Sequence, residues 1–139
     1  MLRFEGVTLK YGSFRALDNI SLHAEQGELV VLLGANGAGK SSLFLAASGI
    51  HKTAGGAIRM GGHDLTGKRP AQIVQAGLVH CPEGRKLFPE MTVRKNLTLG
   101  AYVHRRDKAG IARTLEEVSS LFPVLLQKQN DPAGSLSGG

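Results

Sequence analysis

Eight consecutive residues carry the strongest chemical signal in the sequence. They read Gly34-Ala35-Asn36-Gly37-Ala38-Gly39-Lys40-Ser41 and satisfy the spacing G-x-x-x-x-G-K-[ST]. Glycines allow backbone N–H groups to turn inward around an anion, and the positive end of a following helix faces the same anion. Lys40 adds a mobile cation for phosphate oxygens, and the Ser41 hydroxyl is placed to ligate Mg²⁺. The segment, called here the phosphate loop, therefore predicts nucleotide binding.

The flanking residues give this loop the context that such chemistry requires. Residues 29–33 are apolar at every position, which predicts a core parallel strand covered on both faces. A helix is expected to begin near Lys40, and Gly49 is its predicted stop. The alternative is a glycine loop that merely connects a strand to a helix. That reading gives no reason for lysine followed by serine at these positions.

The remaining elements are predicted from periodicity and turn residues. Leu2 to Leu9, broken in its period by Gly6, and Ile20 to Ala24 indicate an antiparallel lead-in. A short strand is predicted at 57–60, a helix at 70–76 and a second buried strand at 78–81. After Pro82 the pattern is helical. Thr92 is expected to cap a helix that runs to about Tyr102, and Asp107 is expected to cap another that Pro123 ends.

Composition excludes several classes of protein. The net charge of +6 comes from 17 basic and 11 acidic residues scattered along the chain, and with few aromatic residues this does not favour binding to nucleic acid. The five histidines and one cysteine show no metal-ligand spacing, and Cys81 cannot form an internal disulfide. No signal peptide or membrane span is apparent. We expect a cytoplasmic protein.

Two further motifs lead to a family. Leu136-Ser137-Gly138-Gly139 looks like the signature motif of ATP-binding-cassette (ABC) transporter ATPases, and the chain resembles that family along its whole length. Tyr11, in Lys10-Tyr11-Gly12, matches the family's adenine-stacking aromatic residue, where a flat ring contributes about 0.5–1.5 kcal/mol. Without the other motifs, a turn-flanking tyrosine with a hydrated hydroxyl would be the better reading.

A third segment resembles a subgroup. Pro82-Glu83-Gly84-Arg85, followed by Leu87-Phe88-Pro89, is similar to the loop that links the nucleotide core to the helical subdomain. Most members carry glutamine in place of Glu83, and this version resembles the ATPase subunits of branched-chain amino-acid importers and related urea or amide importers. The resemblance implies that Glu83 reports Mg²⁺ and the attacking water to the transmembrane partner. The alternative is a loop acid paired with Arg85 or Lys86. Lys95 departs from the subgroup's glutamate, which removes one half of a capping box.

The resemblance implies an α/β P-loop NTPase fold of the ABC ATPase type, with an antiparallel β lead-in and a helical subdomain, incomplete at its C-terminus. The expected divisions are 1–90 for the lead-in and P-loop core, 91–135 for the helical subdomain and 136–139 for the signature. The implied cofactors are ATP and Mg²⁺, with Lys40 and Glu83 in catalysis and Ser41 and Glu83 at the metal. The expected nucleotide-binding residues are Tyr11, Gly34, Asn36, Gly37, Gly39, Lys40, Ser41, Ser42, Ser137 and Gly139.

The function implied is that of an ATP-hydrolysing importer subunit, for branched-chain amino acids, on the inner face of the cell membrane. Its expected partners are transmembrane permease subunits and a second ATPase subunit, identical or different, with no nucleic acid. The family's metal-side aspartate, catalytic glutamate and switch histidine do not occur within the 139 residues, so this chain alone is expected not to turn over ATP efficiently. The alternatives are a non-transport family member acting in DNA repair or translation, and a nucleotide-binding remnant without catalysis.

Overall fold

A computed structural model describes residues 1–84 and 86–137 of the chain. The chain divides into two compact units, Met1–His80 and Cys81–Gly139. The first unit contains four strands and two helices, in the order β1 (Leu2–Tyr11), β2 (Phe14–Ala24), α1 (Lys40–Ala47), β3 (Gly55–Met60), β4 (His63–Asp64) and α2 (Pro70–Gln75). The described part of the second unit contains α3 (Val93–Gly100), α4 (Lys108–Leu121) and α5 (Pro123–Gln127), with short 3-10 turns at Tyr102–His104 and Ala133–Ser135.

The sheet of the first unit is antiparallel throughout, in the order β2-β1-β3-β4. β1 and β2 form a hairpin in which Tyr11 pairs with Phe14, and this confirms the predicted antiparallel lead-in. The ladder shifts register between Phe4 and Val7, at the glycine that breaks the sequence period. This irregularity lets Phe4, Val7 and Leu9 all turn to the buried face, although their spacing does not alternate strictly.

Helix α1 covers this buried face. Leu43, Ala46 and Ala47 are buried on one side of the helix and pack in the same cluster as Leu17 of β2. Ala46 and Ala47 are small and lie in the last turn of α1, where they allow the helix to approach the sheet closely. The buried Ser48 hydroxyl, just past the helix, donates to the Phe44 carbonyl at 2.8 Å, so its burial leaves no unpaired group there.

A short polar contact fixes the end of the sheet at β4. The Thr66 hydroxyl accepts a hydrogen bond from the Ile58 N–H at 2.9 Å, and the Thr66 N–H donates to Asp64 at 2.8 Å. Hydrogen bonds from the Thr66 side chain and backbone hold the pKa of the Asp64 carboxyl below its usual value. Since the carboxyl is fully exposed, it serves the local turn and not the core.

Two predicted strands are not formed, which corrects the sequence analysis. Neither 29–33 nor 78–81 lies in a strand, and Leu29 and Leu33 are 88% and 91% exposed. Leu32 and Leu78 alone from these segments pack against the core, and only partly. A parallel strand needs hydrogen-bonded neighbours and cover on both faces, and the strands among the described residues pair only with one another in the antiparallel sheet.

The second unit confirms the predicted helix caps. The Thr92 hydroxyl accepts from the Lys95 N–H at 3.2 Å at the start of α3, and the Asp107 carboxylate accepts from the Gly110 N–H at 2.8 Å at the start of α4. α4 ends before Pro123, which begins α5. The threonine half of the cap therefore forms although Lys95 supplies no acidic partner.

Replacing Gly56 with alanine is expected to lower the free energy of unfolding by about 2–4 kcal/mol. Gly56 has a φ of 81°, and an added Cβ would lie 2.5 Å from the Glu5 carbonyl oxygen, which is sheet backbone and cannot move cheaply. Gly61→Ala is the matched control, because Gly61 has a φ of 55° but open space around its Cβ position. Denaturant unfolding of both variants would test this. Equal losses would show that strain alone, without a steric clash, accounts for the effect.

Candidate functional site

The phosphate loop ends where α1 begins, and the junction is set by Gly39. This residue is the N-cap of α1 with a φ of 90°, and a Cβ added to it would lie 2.6 Å from the Ala16 carbonyl oxygen of β2. Gly37 also has a positive φ, 84°, but no atoms surround its Cβ position within 4 Å. Glycine at 39 is therefore required both by conformation and by the close approach of the loop to the hairpin.

The Lys40 side chain folds back over the phosphate loop. Its Nζ donates to the Gly34 carbonyl at 2.5 Å and to the Ala35 carbonyl at 2.8 Å. The Ala38 N–H donates to the same Ala35 carbonyl at 3.2 Å, so the loop is closed by its own backbone. An ammonium group has three donors, and its charge is concentrated at one atom. The loop therefore holds a cation at the place where the sequence predicts phosphate oxygens.

The N-terminal end of α1 adds to the positive field. No side chain caps this end, and the first turn contains no acidic residue. The first N–H groups of a helix lack partners within the helix, and its N-terminus carries a partial positive charge. Lys40 and this helix end together make the loop a fitting cradle for an anion. Ser41 is exposed at the same end, and Ser42 is half-buried.

Tyr11 lies beside the same helix. Its hydroxyl is 3.3 Å from the Ser42 Oγ, and its ring meets the His51 ring edge to face, with centroids 5.1 Å apart and planes at 86°. The side chain is partly exposed, at 37%. The structure thus brings the predicted base-stacking ring next to the predicted phosphate-binding helix, through contacts within the first unit. His51 is a neighbour that the sequence analysis did not identify.

The other predicted site residues are placed as follows. Gly34 and Asn36 are exposed members of the loop. Glu83 and Ser137 are exposed and belong to the second unit. Gly139 lies outside the described residues, as does Arg85, so the alternative ion pair of Glu83 with Arg85 is outside them too. Ion pairs between described residues join Arg15 to Asp18 and Arg59 to Glu5, both at 2.9 Å and both exposed, and Lys86 forms none with Glu83.

Within the second unit, the segment that precedes the signature is tied to the start of α3 by backbone hydrogen bonds. Thr92 and Pro132 form an isolated antiparallel bridge. Three further bonds extend this pairing: Val93 N–H to Asp131 O at 3.0 Å, Ala133 N–H to Met91 O at 2.9 Å and Gly134 N–H to Pro89 O at 3.0 Å. The residues before Leu136 are therefore held against residues 89–93.

The Asn96 side chain holds the turn at residues 88–92, with which the segment before the signature pairs. Its Oδ1 accepts from the Phe88 N–H at 3.0 Å, and its Nδ2 donates to the carbonyls of Phe88 at 3.0 Å and Thr92 at 3.1 Å. Both ends of the amide are used, which no other side chain of this size and charge could reproduce. Asn96 is not among the predicted site residues, because neither residue spacing nor periodicity reveals that its side chain clamps the preceding turn.

Two features that are absent from the described residues bear on the kind of site. No group of three or more histidine, cysteine, aspartate or glutamate residues is placed there to hold a metal ion. A magnesium ion at a phosphate loop does not depend on such a cluster, because a hydroxyl and the nucleotide's own phosphates supply ligands. Nor does any helix among these residues combine the length and the hydropathy needed to cross a membrane.

Comparison with known proteins identifies the family. The family model described as ABC transporter matches residues 17–139, which include the phosphate loop, α1 and the signature. The chain belongs to the ABC transporter family. This confirms the family that the phosphate loop, Tyr11 and the signature predict together, and the match begins within β2 of the lead-in hairpin.

Individual relatives agree with this family. Over its full 139 residues the chain is 37% identical to the high-affinity branched-chain amino acid transport ATP-binding protein BraG of Pseudomonas aeruginosa, of which it spans 59%. It is 38% identical over 130 residues, 94% of the chain, to a sulfate/thiosulfate import ATP-binding protein of Chromobacterium violaceum, of which it spans 34%. The chain thus spans between 34% and 59% of the length of these relatives.

Solved structures confirm the fold class. A structure of an ATP-binding subunit of an ABC transporter superposes with a TM-score of 0.85 at 26% identity, over 99% of this chain and 56% of the other. The ADP conformation of an ATP-binding cassette gives a TM-score of 0.76 at 29% identity, over 99% of this chain and 59% of that one. The α/β P-loop fold with an antiparallel lead-in and helices is therefore correct for this chain.

Replacing Asn96 with alanine is expected to speed amide hydrogen exchange of Phe88 directly, and of Ala133 and Gly134 through the turn that carries Met91 and Pro89. Each lost hydrogen bond is worth about 1 kcal/mol, so the rates should rise by roughly five- to a hundredfold. Residue-resolved exchange by NMR would measure this. Gln127→Ala, an exposed amide in α5, is the matched control. Faster exchange at Phe88 with no change at Gly134 would show that the turn held by Asn96 is not coupled to the segment before the signature.

Proposed function

We propose that this chain forms the ATP-binding part of an ABC importer's ATPase subunit and binds ATP together with Mg²⁺. The observation that carries the proposal is the Lys40 ammonium held on the Gly34 and Ala35 carbonyls at the uncapped N-terminus of α1. A fixed cation, a helix N-terminus and a glycine-rich backbone that approaches its neighbour closely are three features of one anion site. A loop that served only to connect elements would need none of them.

Each predicted site residue of the first unit has a distinct role in this proposal. The Lys40 ammonium exchanges its loop carbonyls for the β and γ phosphate oxygens, and backbone N–H groups from Gly34 to Gly39, Asn36 and Gly37 included, surround the phosphates. The Ser41 hydroxyl supplies a ligand to Mg²⁺. Ser42, in the same turn of α1, is proposed as a further nucleotide-binding residue. Tyr11 stacks on the adenine. The bound magnesium would neutralise the charge that develops on the transferring phosphoryl group.

The second unit supplies residues that act on an already bound nucleotide. Glu83 is proposed as the loop acid that responds to Mg²⁺ and to the attacking water, and its exposure agrees with such a role. The signature, with Ser137 and Gly139, is proposed to contact ATP held by a second ATPase subunit. The proposed division of the chain is a core at 1–90, a helical subdomain at 91–135 and the signature at 136–139. We propose ATP hydrolysis as the activity of the whole ATPase subunit.

The proposed cargo is a branched-chain amino acid. Support comes from the relative of Pseudomonas aeruginosa, which is named for that transport, and from the Pro82-Glu83-Gly84-Arg85 segment. Relatives named for import of sulfate and of molybdate or tungstate are 38% and 33% identical to this chain, so overall identity does not separate the cargoes. An ATPase subunit contacts a permease and not the solute. We therefore propose permease subunits and a second ATPase subunit as partners, at the inner face of the membrane.

Replacing Lys40 with alanine is expected to weaken ATP binding by about ten- to a hundredfold, because a charge-assisted contact with the β and γ phosphates is lost. AMP, which lacks these phosphates, should lose much less. Isothermal titration of both nucleotides in the presence of Mg²⁺ would measure the difference. Lys68→Ala, which removes an exposed lysine of the same unit, should leave both affinities unchanged. Equal affinity of wild type and Lys40→Ala for ATP would refute the proposal.

Replacing Tyr11 with alanine is expected to weaken ATP binding by about two- to tenfold, since the stacked ring is lost. Tyr11→Phe should stay close to wild type, because the hydroxyl contact to Ser42, at 3.3 Å, is longer than a strong O–H···O bond. The same titrations would test both variants. Were phenylalanine as damaging as alanine, the hydroxyl and not the ring would be the important group.

A further inference from the structure

We infer that His51 is a positioning residue for nucleotide base binding, because it holds the Tyr11 ring in the orientation that the base meets. The inference rests on the proposed function of the phosphate loop and deepens it at the base. It arises from the edge-to-face contact between the two rings, with centroids 5.1 Å apart and planes at 86°. Because His51 is exposed, its ring does not pack in the core and can contact a tyrosine ring that faces the ligand.

The two contacts of Tyr11 differ in strength. The centroid separation lies inside the range of roughly 4.5–7 Å in which perpendicular aromatic pairs attract each other. By contrast, the distance of 3.3 Å from the Tyr11 hydroxyl to Ser42 exceeds the usual O–H···O length of about 2.7–2.8 Å. The ring contact with His51 is therefore the stronger restraint on the plane of the tyrosine.

The backbone of His51 is anchored independently of Tyr11. The N–H groups of Ile50 and His51 both donate to the Leu45 carbonyl, at 3.0 and 3.2 Å, which ties the residue to the C-terminal end of α1. Tyr11 lies at the tip of the β1–β2 hairpin, where it pairs with Phe14. His51 thus connects the helix that follows the phosphate loop to the strand end that carries the base-binding ring.

This connection predicts a selective effect on affinity. A ring that is already oriented loses less side-chain freedom when a base stacks on it, so preorganisation raises affinity without a new contact. Loss of the His51 ring should therefore weaken ligands that carry a base. It should not weaken ligands that consist of phosphates alone, since those meet Lys40 and the helix end.

The test compares ATP with inorganic tripolyphosphate, both with Mg²⁺, on wild type, His51→Leu and His51→Phe. We expect His51→Leu to lose about two- to tenfold in affinity for ATP and nothing for tripolyphosphate. His51→Phe, which keeps an aromatic edge, should stay within about twofold of wild type. His23→Ala is the matched control, because His23 is also exposed in this unit but pairs with Arg3 at the other end of the hairpin.

A double-mutant cycle with Tyr11→Ala separates positioning from direct contact. If His51 acts through Tyr11, Tyr11→Ala combined with His51→Leu should bind ATP as Tyr11→Ala does alone. A further additive loss would overturn the inference, as would an equal loss for tripolyphosphate or an unchanged affinity of His51→Leu for ATP. Lys40→Ala reports separately on the proposed function: if it binds tripolyphosphate as well as wild type does, the phosphate site is wrong, and the inference about His51 fails with it.

Discussion

The arrangement of the first unit depends on the close approach of Gly39 to the Ala16 carbonyl of β2. That contact fixes where α1 begins relative to the hairpin, and a side chain at 39 would push the two apart. Because Lys40 is the next residue, the same contact decides where its ammonium meets the loop carbonyls. Further along the helix it also sets the distance from Ser42 to Tyr11. A single backbone approach thus connects the sheet, the helix and the proposed ligand site.

Sequence reasoning predicted the features that depend on local chemistry. The start of α1 at Lys40, directly after the glycine-rich loop, and the caps at Thr92 and Asp107 follow from residue types a few positions apart, and the structure confirms these elements. The antiparallel pairing of the lead-in is predicted for the same reason, since the break at Gly6 is visible in the sequence, but β2 begins at Phe14, earlier than the predicted start at Ile20. These are interactions in which both partners lie close together along the chain.

Features that depend on distant partners were predicted wrongly or missed. Residues 29–33 have the composition of a buried parallel strand. Composition indicates only that burial of these side chains is favourable, and it does not identify the neighbouring strands that would cover them. Where the described residues provide no ladder partner, Leu29 and Leu33 are left exposed. His51 was missed because it meets Tyr11 across 40 residues of sequence, and an exposed histidine without metal-ligand spacing carries no signal. Asn96 was missed because its clamp on Phe88 requires a turn whose geometry the sequence does not specify.

In the proposed site, the phosphates and the base of a nucleotide are bound by separate groups of residues. In the proposal, phosphate binding rests on the Lys40 charge, the α1 N-terminus and backbone N–H groups, which would together attract a triphosphate by roughly several kcal/mol. In the same proposal the base stacks on Tyr11, whose ring would add only about 0.5–1.5 kcal/mol, so the contribution of Tyr11 depends on how well its ring is oriented beforehand. A weak contact gains most from a second residue that restrains it, and His51 is placed to do so at no cost to the core. For this reason a change at Tyr11 or His51 is expected to lower the affinity for ligands that carry a base, whereas a change within the loop lowers the affinity for every ligand that carries a polyphosphate.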